Sequence, residues 1–176
     1  MRRRVISVTA AIALMGFSAA LAFAQQAPPA GGGRAGTPPA PPAPNDKAMY
    51  FSGAENQNIW KDLEARQVIN KRVMEGGTYS INIRIVKPDS PPLVHAKSFD
   101  LWIVQEGTAT AITGGELLDP KKGGQGDDEA GSSIRGGIEQ PLVPGDMLFV
   151  PTGVPHGFKD LKGFRALLIR WEPKAQ

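Results

Sequence analysis

Residues Gly145 to Asp160 read Gly-Asp-Met-Leu-Phe-Val-Pro-Thr-Gly-Val-Pro-His-Gly-Phe-Lys-Asp, and this run limits the folds open to the chain more than any other. Pro144-Gly145 is a type II turn dipeptide: proline presets φ and glycine supplies the positive φ that comes after it. Met147 to Val150 has the length and apolar character of a buried strand. Pro151 and Gly153 stop that strand and turn the chain, after which a second short strand presents His156. A side chain at a fixed offset after a rigid Pro-x-Gly turn has a defined direction, which a ligand or catalytic group requires.

The segments upstream prepare the same kind of structure. From Thr78 the pattern has a period of two, with Tyr79, Ile81, Ile83 and Ile85 alternating with Ser80, Asn82, Arg84 and Val86, as in a half-buried strand. Tyr79 and Arg84 fall on opposite faces of it, so at most one points at a pocket. A Pro/Asp/Ser loop over 88–92 delivers His95. Residues 95 and 97 are expected on one face of a strand, with the next strand from Asp100 through Gln105. Glu106-Gly107 is expected to turn the chain into a strand over 108–113. Gly114 to Gly131 reads as a polar, solvated loop; its Asp127, Asp128 and Glu129 lack the regular spacing of a calcium loop. Phe164 to Trp171 is a final apolar strand. Short strands between Gly and Pro turns, with no helical period after Gly77, predict an all-β barrel or double-sheet roll. Before it, Asn56 to Val68 suits a short amphipathic helix with Asn58 as N-cap.

The chain divides into three regions by composition. Arg2, Arg3 and Arg4 precede an apolar, alanine-rich run that ends in Ala22-Phe23-Ala24, which predicts a signal peptide over 1–24, export to the periplasm or beyond, and no stable membrane insertion after cleavage. Residues 25–44 are Ala/Pro/Gly-rich and predict a disordered tether. Residues 45–176 carry the folded domain. The chain has no cysteine, so its core alone must stabilise it. Of 20 basic and 17 acidic residues, setting Arg2, Arg3 and Arg4 aside leaves 17 of each, a mature charge near zero. That balance excludes the basic face nucleic acid binding requires.

The Gly145 run resembles the second motif of the cupins, Gly-x5-Pro-x-Gly-x2-His-x3-Asn. Gly145, Pro151, Gly153 and His156 match at every spacing, and Asp160 stands at the asparagine position. In the partner motif His95 matches the first histidine, Lys97 replaces the second, Asp100 stands for the glutamate, and Gly107 comes at the expected gap. The Lys97–Asp100 spacing is one residue short, and no glycine sits six positions before His95. The resemblance covers 77–171 and implies a single-domain cupin-type β-barrel, a double-stranded β-helix, behind a short N-terminal helix.

The resemblance also implies a pocket in which these motif positions converge. His95, Asp100 and His156, which include the chain's only two histidines, would form a two-histidine, one-carboxylate set for one divalent transition metal: Fe, Mn, Ni or Zn. Lys97, Trp102 and Phe158 are the expected substrate contacts. Lys97 sits awkwardly beside a dication, since like charges at about 4–6 Å repel by several kcal/mol at moderate dielectric. Two functions therefore stay open: a metal-dependent enzyme (oxygenase, isomerase or lyase) on a small metabolite, or a metal-free module binding a sugar or organic anion through Lys97 and pocket aromatics. A scaffold domain with a vestigial pocket is a third, and a homodimer is a family-level expectation.

Overall fold

The computed structural model describes residues 39–123 and 126–173. The expected signal peptide (1–24) and the first part of the expected tether (25–38) lie outside the described residues. One helix, α1 (Gly53–Ala65), precedes the strands β1 (Asn70–Glu75), β2 (Tyr79–Ile85), β3 (Leu93–Val94), β4 (Phe99–Thr113), β5 (Glu116–Leu118), β6 (Lys121–Lys122), β7 (Glu129–Ala130), β8 (Ser133–Arg135), β9 (Ile138–Leu142), β10 (Met147–Val150) and β11 (His156–Trp171). All these strands pair antiparallel, so the expected all-β fold class is borne out.

Two long strands, β4 and β11, pair with each other along most of their length and belong to two sheets at once. Their first and last halves respectively, Phe99 to Glu106 and Arg165 to Trp171, sit in the order β1-β2-β11-β4-β10. Their other halves sit in the order β6-β7-β3-β11-β4-β9, while β5 and β8 form a small separate ladder. The expectation of a turn at Glu106-Gly107 is therefore corrected. Gly107 (φ 71°) bends a continuous strand, opposite a register shift between Lys159 and Arg165 where Asp160 (φ 52°) and Gly163 (φ 60°) also take positive φ. A Cβ on Gly107 would lie 2.3 Å from the Gly163 and Lys162 carbonyl oxygens, so only glycine allows this crossing.

The interior between the two sheets is filled by Val86, Trp102, Val104, Ala109, Ala111, Leu142, Val150, Phe164, Ala166 and Leu168. A second apolar layer lies on the opposite face of β2, where Trp60 and Leu63 of α1 cover Val73 and Ile83. Both faces of β2 are consequently covered, and its polar face is the one that points inward. Ser80 and Asn82 are buried, Asn82 Nδ2 donates to Ser80 Oγ at 3.0 Å and to the Leu168 carbonyl at 3.3 Å, and the Arg84 guanidinium lies 5.7 Å from the Trp102 ring centre. Arg84, not Tyr79, is thus on the interior side.

Helix α1 begins earlier than expected. Ser52, not Asn58, is its N-cap: the Glu55 N–H donates to Ser52 Oγ at 3.1 Å and the Ser52 N–H to Glu55 Oε2 at 2.8 Å, a reciprocal capping box. One strand lies where the sequence predicts no element, and two further expectations are corrected. Strand β1 lies in a polar stretch whose one buried side chain is Val73. The expected loop over 114–131 contains β5, β6 and β7. The end of the expected tether is ordered: Ala43 N–H donates to the Glu75 carbonyl at 2.8 Å and Glu75 N–H to the Pro41 carbonyl at 3.0 Å, which extends the sheet beyond β1. Among the described residues no helix is long and apolar enough to cross a membrane.

Truncating Leu63, 2 % exposed on the buried face of α1, to alanine is expected to destabilise the protein by about 2–5 kcal/mol, and Ser52→Ala by about 1 kcal/mol. Urea denaturation measures both. A Leu63→Ala loss below about 1 kcal/mol would mean that α1 contributes little to the fold.

Candidate functional site

The site forms where the chain enters β4 and β11. His95 comes immediately after β3, and its carbonyl accepts from the Gly153 N–H at 2.9 Å, which ties it to the turn ahead of His156. That turn closes with the Val154 N–H on the Pro151 carbonyl at 3.3 Å around Gly153 (φ 77°), and the turn ahead of β10 closes with the Asp146 N–H on the Val143 carbonyl at 3.1 Å around Gly145 (φ 96°). His156 then opens β11 opposite Leu93. Asp100, the second residue of β4, lies between Val150 on β10 and Arg170 on β11.

These placements bring the three motif residues together, with the imidazole rings 5.1 Å apart. His95 and His156 are each 3 % exposed and Asp100 is wholly buried. Among the described residues, one ligand atom from each of the three lies within 4.8 Å of the others. His95 Nε2 is 3.4 Å and His156 Nε2 3.7 Å from Asp100 Oδ2. On the far side of each ring Nδ1 already has an acceptor: Asp128 Oδ2 at 2.6 Å from His95, and the Val154 carbonyl at 3.2 Å from His156. An Nδ1–H donated outward leaves each Nε2 with its lone pair on the Asp100 side.

Two residues that carry no motif signal complete the site. Asp128, expected in a solvated loop, is 7 % exposed; besides His95 it takes the Ala96 N–H on Oδ1 at 3.0 Å. Arg170 binds Asp100 side-on, Nε to Oδ1 at 2.6 Å and Nη2 to Oδ2 at 2.8 Å, and Nη2 also reaches His95 Nε2 at 2.7 Å. The sequence does hold a cue for Arg170: it shares the alternation of Phe164, Ala166 and Leu168, all buried, so β11 carries a charge on its inward face. Nothing local signals Asp128, whose contact with His95 spans 33 positions. Burial alone would raise the Asp100 carboxyl, but the Arg170 guanidinium, hydrogen-bonded to both its oxygens, holds it far below the usual carboxylate range.

The expectation for Lys97 is corrected. Residues 95–98 are not a strand, so the expected alternation fails and Lys97 turns outward, its side chain 71 % exposed and paired with Asp127 at 3.1 Å. It reaches neither the histidines nor the interior. Trp102 and Phe158 do face inward and meet edge-to-face at 4.9 Å, packed into the core beneath the site. The Trp102 indole N–H is buried with no hydrogen-bond partner among the described residues. Asp160, at the asparagine position of the second motif, serves the bend in β11 through its positive φ. Surface clefts of about 280 and 270 Å³ lie around Pro39–Pro41 and α1, and around Gln67–Ile69 and Lys87; they share no residue with this site.

No protein-family model and no curated protein matches the chain. Among solved structures, the chain is similar to a protein of Bacillus halodurans (TM-score 0.49, 11 % identity, over 75 % of this chain and 86 % of that one). It is also similar to a cupin-2 domain containing protein of Shewanella frigidimarina (0.39, 19 %, 59 % and 79 %). A third is hydroquinone 1,2-dioxygenase of a Sphingomonas species, solved with 4-hydroxybenzoate bound (0.44, 18 %, 60 % and 66 %).

Replacing Arg170 by methionine leaves the Asp100 carboxylate buried and unpaired, and is expected to destabilise the protein by about 3–5 kcal/mol in chemical denaturation. Adding Asp100→Asn to that variant is expected to recover a large part of the loss. Lys97→Ala is expected to leave the unfolding midpoint essentially unchanged.

Proposed function

We propose that this chain is a small exported cupin whose His95, Asp100 and His156 hold one divalent transition metal for chemistry on a small molecule inside the barrel. The observation that carries this reading is the convergence of two Nε2 lone pairs, each fixed by an acceptor behind the ring, on one buried carboxylate oxygen. Three lone-pair donors facing one another in a dry interior call for a positive charge beside them, a place Arg170 fills in part from the Asp100 and His95 side, and two imidazoles with one carboxylate suit Fe, Mn, Ni or Zn. Such an ion, when bound, supplies Lewis acidity and open coordination positions.

The chain's own residues do the rest. Asp128 holds the His95 ring in one tautomer and orientation, as the Val154 carbonyl does for His156. Asp100 contributes the negative charge. Trp102 and Phe158 form an apolar floor that excludes water, and the buried indole N–H is a donor to a bound molecule.

A second reading is favoured by a different observation: a guanidinium already neutralises Asp100 and caps His95. In that reading the chain is a metal-free module for a sugar or organic anion. Arg84 and Arg170, on interior faces, take the part expected of Lys97.

Metal analysis and Zn(II) titration of the mature protein separate the two. One ion per chain is expected, with binding abolished in His156→Ala and weakened about 10–100-fold in Asp128→Asn. A wild-type protein that takes up no Fe(II), Mn(II), Ni(II) or Zn(II) would leave the anion-binding module as the function.

A further inference from the structure

The imidazole nitrogen His95 Nε2 has one in-plane lone pair, and Arg170 Nη2 takes it at 2.7 Å. The same Nη2 sits on Asp100 Oδ2 at 2.8 Å, the oxygen toward which both histidines point. We propose that Arg170 is a built-in competitor of the metal: its guanidinium holds the His95–Asp100–His156 set in place without an ion and must release His95 Nε2 when one binds. This role rests on the metal reading of the same site.

A lone pair that accepts a hydrogen bond is not available to a metal, so the two occupants exclude each other at His95. Charge adds to this exclusion, because a guanidinium and a dication beside one carboxylate repel. Arginine sharpens the competition. Its side chain does not lose its proton in proteins, so unlike a lysine at the same position it cannot step aside by deprotonation. It has somewhere to go, however: the Arg170 side chain is 24 % exposed while Asp100 is not exposed at all. Arg170 therefore closes the solvent side of the donor set and can leave toward it. The metal-free state is thereby kept folded and preorganised, and the apparent metal affinity is reduced by the fraction of molecules in which Arg170 occupies the set.

The test titrates Zn(II) and Co(II), with a chelating dye as competitor, into the mature wild-type protein and its Arg170→Gln and Arg170→Lys variants. Arg170→Gln is expected to bind either ion at least tenfold more tightly than wild type, and Arg170→Lys to fall between them. Equal or weaker binding by Arg170→Gln, with wild type binding normally, overturns the proposal and leaves the metal reading intact. Absence of binding in both overturns both. Where Arg170→Gln fails to fold, the wild-type protein alone decides: the Arg170 Nε–H resonance, protected by Asp100, is expected to shift and lose its protection from solvent exchange with one equivalent of Zn(II). A resonance that stays put while the His156 ring signals respond to zinc overturns the competition.

Discussion

The register of β4 against β11 is the constraint on which the site depends. It sets Arg170 directly across from Asp100 and, on the same inward row, Ser80 and Val150. A slip of one residue would turn every inward side chain of either strand to the other face. Such a slip would put the Asp100 carboxylate under no cation and expose Trp102, Phe164 and Leu168. Apolar packing along the rest of the interface penalises that slip heavily, so the ion pair is held in register by the core around it. The bends at Gly107 and at 160–163 then let the same two strands serve both sheets. His156, at the far end of β11 from Arg170, is carried back to the entrance of β4 through its pairing with β3.

Charge in this interior is arranged as a chain of alternating groups. Asp128 accepts the Nδ1–H of His95, His95 Nε2 accepts a hydrogen bond from Arg170 Nη2, and Arg170 donates to both oxygens of Asp100. Each member alone would be costly in a low-dielectric interior, and together they leave the site polar yet satisfied. The same economy appears on β2, whose Asn82 is bonded to Ser80 and to the backbone of β11. Polarity is thus concentrated along one end of the barrel, over an apolar floor of Trp102 and Phe158. A domain without disulfides can carry this because it has two apolar layers, one between the sheets and one under α1.

Much of this is legible in the residues. The Gly145–His156 turn and the strand over 79–85 are readable because turn chemistry and period-two patterns are local, whereas the convergence of His95, Asp100 and His156 is implied only by the resemblance of their spacing to the cupin motifs. The failures have local causes too. Strand β1 escapes notice because its one buried side chain gives no alternation to count, and Asn58 mimics an N-cap where the Ser52–Glu55 box lies nearer the start of the chain. Breaks are expected at Glu106-Gly107 and between His156 and Phe164, since glycine reads as a turn whether it ends a strand or bends one.

Lys97, Arg170 and Asp128 mark where sequence stops and folding decides. The sequence by itself determined an all-β chain, the turn that aims His156, and the residue types able to act as donors. It assigned Lys97 to the pocket by counting from His95, and only the irregular backbone over 95–98 sends that side chain to Asp127 instead. Arg170 and Asp128 reach His95 across 75 and 33 positions. Which charges meet over such separations depends on strand register and loop closure, quantities set by the packing of the whole domain and by no stretch of sequence alone.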